Sequence, residues 1–323
     1  MSTRVRVAGF VAALVAVLGI TLGAGRLVGP VGPFGPVDEV AGMAGHGEGT
    51  ADATSGGHGE AGAGGARGAA GHAADLPGGL QTSQDGYSLR LDPDQYAAGP
   101  TGPLTFVVEG PDGRAVTAYD VEHEKELHLI VVRRDFGGYH HVHPTRAADG
   151  TWSVPLGLAP GAWRVLADFS PKGGSPMTLG ADLFVPGSDV AAQSPRDDLR
   201  TATVDGYTVT LRGDLTPGSD SALTLSVSRG GAPVTDLDPY LGAYGHLVAL
   251  RTGDLAYLHV HPEGHPGDGT TRPGPDVTFG AEVPTSGTYR LFLDFKHAGV
   301  VRTAAFTLTA GTPLQPWKED ALP

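Results

Sequence analysis

The sequence predicts an all-β protein. Two tandem Ig-like β-sandwich domains are expected to follow an N-terminal membrane helix and a disordered Gly/Ala/His linker. Three observations lead there. The chain opens on an export-like segment. Short β-rich runs punctuated by Gly, Pro and Asp begin near residue 80. The whole pattern of runs then recurs once.

The first element covers residues 1–28. "MSTRVRV" sets Arg4 and Arg6 ahead of an uncharged stretch from Val7 to Gly25, which Arg26 closes. A basic region before an apolar segment is the pattern of an export signal. About 18 apolar residues is the lower limit for a membrane span and long for a cleaved signal. No A-x-A site follows, and the absence of cysteine removes a lipid anchor. The reading is a signal anchor, or a signal peptide if it is cleaved. Positive charge on the N-terminal side places the remainder outside the cytoplasm. The expected location is therefore the cell membrane, single-pass with extracytoplasmic domains, or secreted if cleavage occurs.

Residues 29–79 are rich in Gly and Ala and poor in large apolar side chains. Such a segment cannot bury enough surface to offset its ordering entropy, so it reads as a disordered linker. "GHGE" occurs at 45–48 and 57–60, and "GHAAD" at 71–75. His46, His58 and His72, with Glu48 and Glu60, are either loose metal captors or incidental to a solvated linker.

Beyond residue 80 come "YSLRL" (87–91), "LTFVVE" (104–109), "LHLIVV" (127–132), "WRVLADF" (163–169) and "ADLFV" (181–185). Short strands at that spacing suggest a sandwich. The series then returns. "DGYSLRL" (85–91) matches "DGYTVTL" (205–211), and "LTFVV" (104–108) matches "LTLSV" (223–227). His128 matches His246, and Tyr139 matches Tyr257. His141 and His143 match His259 and His261. Arg164 and Asp168 match Arg290 and Asp294. The offset grows from 118 residues at the first histidine to 126 at the aspartate, which places an eight-residue insertion around 263–276. The domains are set at 80–187 and 203–310, with a joint between them and a tail over 311–323.

The phrases "YHHVHP" (139–144) and "HLVALRTGDLAYLHVHP" (246–262) carry a resemblance. Over roughly residues 80–310 the chain resembles a poorly characterised group of exported actinobacterial proteins with tandem HVHP-containing β-sandwich domains. The resemblance implies an extracytoplasmic pair of sandwiches and brings no activity with it.

Composition narrows the chemistry. A net charge of −13 argues against nucleic acid, whose phosphates need a basic surface. With no cysteine there are no disulfides, thiolate nucleophiles or iron–sulfur clusters, and histidine and carboxylate remain as metal ligands.

Strand side chains alternate faces, so His141 and His143 point the same way about 6.5–7 Å apart along the backbone. That spacing lets two imidazoles converge on one ion. His128 lies in an apolar strand, where a buried histidine needs a partner. Asp168 sits among apolar neighbours in the same awkward way. His128, His141, His143 and Asp168 make a three-nitrogen, one-oxygen set, and His246, His259, His261 and Asp294 repeat it. Such a set suits Cu(II) or Zn(II). Whether each domain holds its own ion or the two share one stays open at this point. So does the bland alternative, in which the histidines are hydrogen-bonded core residues and Asp168 pairs with Arg164. His140 becomes Leu258 in the second copy and faces away from the pair. His123, in "EHEKE", reads as a solvated loop. His265 lies in the insertion, while His297 follows Asp294 closely enough to reach a second site.

The leading expectation is an extracytoplasmic metal-binding protein for storage, buffering or delivery of copper or zinc, and not an enzyme. Its partners are the metal ion, the membrane through the N-terminal helix and, for delivery, a metal-handling membrane protein. Two alternatives stand beside it. One is a metal-free β-sandwich scaffold or interaction module. The other is a cupin-like or dismutase-like metalloenzyme, although the usual glutamate or cysteines of those sites are missing.

Overall fold

The computed structural model describes residues 77–92, 102–188, 198–258 and 260–311. The expected anchor, nearly all of the linker, the tail past residue 311 and His259 lie outside the described residues. Among the described residues there is no helix long and apolar enough to cross a membrane.

The described chain is all-β. The first repeat holds β1 (Ser83–Gln84), β2 (Tyr87–Leu91), β3 (Pro103–Glu109), β4 (Tyr119–Asp120) and β5 (Leu127–Arg133). It continues with β6 (Tyr139–Val142), β7 (Thr145–Arg146), β8 (Trp152–Pro155), β9 (Gly161–Pro171) and β10 (Met177–Val185). The second repeat holds β11 (Thr201–Val204), β12 (Tyr207–Arg212), β13 (Ser219–Arg229), β14 (Ala232–Pro233) and β15 (His246–Arg251). After it come β16 (Tyr257–Leu258), β17 (Val260–Pro262), β18 (Asp276–Val283), β19 (Gly287–His297) and β20 (Val300–Ala310).

Each repeat builds two antiparallel sheets. In the first they run β1-β2-β3-β8-β7 and β10-β9-β5-β6; in the second, β11-β12-β13-β18-β17 and β16-β15-β19-β20. Burial separates the sheets into two kinds. β3 and β12 alternate buried with partly exposed residues, as strands with one face in water should. β5 is buried at all seven positions, and β15 at every position but its last. A strand buried at every position has both of its faces covered. Leu129 and Val131 face their own sandwich core beside Leu104, Phe106 and Val165. On the opposite face, Ile130, Val132 and Leu166 form one cluster with Val248, Leu250, Leu255 and Phe292 of the second repeat. The two inner sheets therefore pack on each other through an apolar layer. Tyr139 lies on Phe292 across it, ring centroids 3.7 Å apart and nearly parallel.

Register decides where the histidines go. His128 is paired with Asp168, and Ile130 with both Leu166 and His141. His128 and His141 thus share the face that meets the second repeat, at the rim of the apolar layer. The β5–β6 turn is held by Asp135, which accepts from Arg133 Nε at 2.7 Å, Arg133 Nη2 at 2.8 Å and Gly137 N at 2.9 Å. Gly138 in that turn has no room for a side chain, since a Cβ there would lie 2.4 Å from the Trp163 ring.

The second repeat departs at the corresponding strand. In the first, β6 stays with β5 through Val142 before the chain crosses to β7 and the outer sheet. In the second, β16 pairs with β15 only through Leu258, and Val260 is already paired with Ala281 of the outer sheet. Leu258 corresponds to His140, so the crossing comes earlier than in the first repeat.

Candidate metal centre

His128, His141 and His143 converge. One nitrogen from each lies within 4.8 Å of the others. His128 Nδ1 is 3.2 Å from His141 Nε2 and 3.2 Å from His143 Nε2. Nitrogens about 2.0–2.1 Å from a tetrahedral ion lie about 3.3–3.4 Å from one another, so these edges have metal-site dimensions.

The outer nitrogens fix the proton positions. His128 Nε2 stands 3.1 Å from the carbonyl oxygen of Glu122. A carbonyl only accepts, so this nitrogen carries the hydrogen and donates it. His141 Nδ1 is 2.8 Å from Asp294 Oδ2 and donates to that carboxylate. In neutral imidazoles the remaining nitrogens, His128 Nδ1 and His141 Nε2, then present lone pairs to each other. Two lone pairs at 3.2 Å make no hydrogen bond, and a cation between them resolves the conflict. A carboxylate on the far side of a ligating histidine fixes its tautomer and raises its basicity. Asp294 is placed for that role, with its other oxygen accepting from Thr303. The side chains of His141 and Asp294 are 1% and 4% exposed, so water competes little for this bond.

The electrostatics favour neutral imidazoles at His128, His143 and His246. Burial, with a smaller contribution from the neighbouring His141, lowers His128 from the usual 6.5 to about 4. Burial, His141 and His128 lower His143 to about 3. Burial also drives His246 well below 6.5. Below pH 6.5 the unfolded chain accepts protons that these folded histidines refuse. Their contribution is therefore complete above about pH 6.5 and is lost as pH falls toward 4 and then 3. For His128 alone the loss by pH 4 is on the order of 3 kcal/mol at about 1.4 kcal/mol per unit. Metal-free protein should show a falling denaturant midpoint between pH 7 and 4. A flat profile over that range would contradict the buried neutral cluster.

The arrangement corrects the expectation of two repeated sets. The carboxylate bonded to His141 is Asp294 of the second repeat. Asp168 instead accepts from Thr178 Oγ1 at 2.8 Å and lies 3.4 Å from the Tyr257 hydroxyl. Nor does Arg164 serve Asp168: it donates to Asp182 and to the carbonyls of Gly79 and Leu80. His246 turns toward the first cluster, its ring stacked on His128 at 5.3 Å and 5.0 Å from that of His141. His261 is exposed on β17, carried away by the earlier crossing. Of the second set, His246 and Asp294 face the first cluster and His261 lies on β17, while His259 lies outside the described residues. His140 lies against Trp163, on the opposite face from the pair. His297 bonds Tyr207 and Asp236, and His265 sits by Asp268. His123, read from sequence as solvated loop, stands with its ring 5.9 Å from His128 and 5.3 Å from His246.

Two stretches, residues 81–183 and 202–312, match the profile of a domain of unknown function (DUF8832), and the chain belongs to that family. No curated protein matches it. Among solved structures it is similar to the Escherichia coli adhesin FdeC at 16% identity, covering 71% of this chain and 65% of that one, with a TM-score of 0.22. Domains 4 and 5 of the S-layer protein SbsC align at 9% identity over 72% of this chain and all of that one, TM-score 0.20. Chicken CNTN1 FN1–FN3 domains align at 8% identity over 73% and 67%, TM-score 0.18. With TM-scores this low, nothing about this chain rests on these likenesses.

Proposed function

We propose that this DUF8832 protein is an extracytoplasmic metal-binding protein that stores, buffers or delivers Cu(II) or Zn(II) through one centre at the interface of its two Ig-like repeats. His128, His141 and His143 supply the imidazole nitrogens, and Asp294 orients His141 from the other repeat. The observation that carries this reading is the pair of inward-facing nitrogens, 3.2 Å apart, whose protons are committed elsewhere to Glu122 and Asp294. Three neutral nitrogens suit Zn(II) and Cu(II). Cu(I) is served less well, since thiolates are absent and Met177 is the one methionine in the folded repeats. The export-like N-terminus supports placement outside the cytoplasm, with the His-bearing linker between membrane and domains.

The reading is tested by loading the purified full chain with Zn(II) or Cu(II), desalting it and measuring bound metal. One equivalent retained per chain, beyond what the linker histidines hold, is expected. Loss of all metal on desalting removes the proposal. The short His141–Asp294 contact also favours a second reading, a metal-free interface in which a proton joins the repeats. In that case the retained metal is nil.

A further inference from the structure

A cleft of about 380 Å³ lies beside the centre, and its wall includes His123, His128, His246, Glu122, Asp168 and Met177. Of the three centre histidines only His128 lies on this wall, and His141 is almost wholly enclosed. An ion coming through the cleft therefore meets His123 and His246 with His128. His246 is 8% exposed, and its Nδ1 is buried without a hydrogen-bond partner. Leaving such a nitrogen unsatisfied costs about 1–3 kcal/mol, so a ligand is the natural complement. The His123 and His246 rings are 5.3 Å apart. Rings within the centre are spaced 4.9–5.4 Å, so the cleft pair is separated by a comparable distance. The turn bearing His123 is specifically shaped, with left-handed backbone at both His123 (φ 46°) and Glu124 (φ 65°).

We propose that His123 and His246 form a second, transient site for the same imidazole-seeking divalent cation, receiving it in the cleft and passing it to His128. This rests on the centre proposed above. The site joins a loop of the first repeat to a strand of the second, and transfer needs only stepwise exchange of one imidazole for another.

The test is stopped-flow uptake of Co(II), followed by its visible absorption, in the full chain and in His123→Ala, His246→Ala and the double variant. His123 is exposed, so its replacement leaves folding intact. The double variant is expected to take up Co(II) about tenfold or more slowly, the result of losing two exchanging imidazoles, while still retaining the one tight equivalent. Uptake at the wild-type rate overturns the relay and leaves the centre standing. If His246→Ala alone abolishes tight retention, His246 is a ligand of the centre and the relay is equally overturned. If the wild-type chain itself retains no metal, both proposals fail.

Discussion

Replacing His141 and His143 together by alanine is expected to abolish tight retention of Zn(II) or Cu(II). Two of three inward nitrogens vanish, and His128 alone cannot hold an ion through desalting. The double variant also pays in stability. Removing His141 strips the buried Asp294 carboxylate of its imidazole donor, and leaving a buried acceptor short of a donor costs about 1–3 kcal/mol. His143→Ala separates the two effects. His143 touches His128 but makes no bond to Asp294, so its loss should change stability by less than about 1 kcal/mol while still ending retention. Metal content after desalting and the urea midpoint together read this out. Stability lost with metal content unchanged would make the histidines packing residues.

The second large effect falls on Asp294. Asp294→Ala should weaken Zn(II) binding about 10–100-fold, the usual cost of removing the carboxylate behind a ligating histidine. Asp294→Asn keeps an acceptor oxygen and should fall in between. Asp168→Ala, at the corresponding position of the first repeat, should leave affinity near the wild-type value because the outer nitrogens of His128 and His141 are bonded to Glu122 and Asp294 instead. Competition against a chromogenic zinc chelator measures all three. Unchanged affinity in Asp294→Ala would mean that the centre is not built across the repeats.

Much of this was legible in the sequence. Alternation and turn residues identified the strands, and the recurrence of whole phrases identified two repeats. The H-x-H spacing put His141 and His143 on one side, and the apolar context of His128 marked it as needing a partner. What sequence did not settle was which repeat supplies the carboxylate. Asp168 is the register partner of His128, and Asp294 of His246, so pairing by register suggests two sets. Packing decides otherwise, because the inner sheets meet face to face and His141 reaches Asp294 across the interface. The signal was present in "LHLIVV", which is apolar at both alternating sets and so requires cover on both faces. The fate of His261 hung on where a strand changes sheets, and the same H-x-H phrase stands on either side of that change. His123 is exposed, as its charged neighbours suggested, and what they did not signal is that its ring lines the cleft beside His246.

The centre is tested most directly by X-ray absorption at the zinc edge on the Zn(II)-loaded full chain. At least three imidazole nitrogens at about 2.0–2.1 Å are expected, with the imidazole signature reduced in His143→Ala. A shell of oxygen ligands alone, or a spectrum unchanged by His143→Ala, would contradict a metal centre built on His128, His141 and His143.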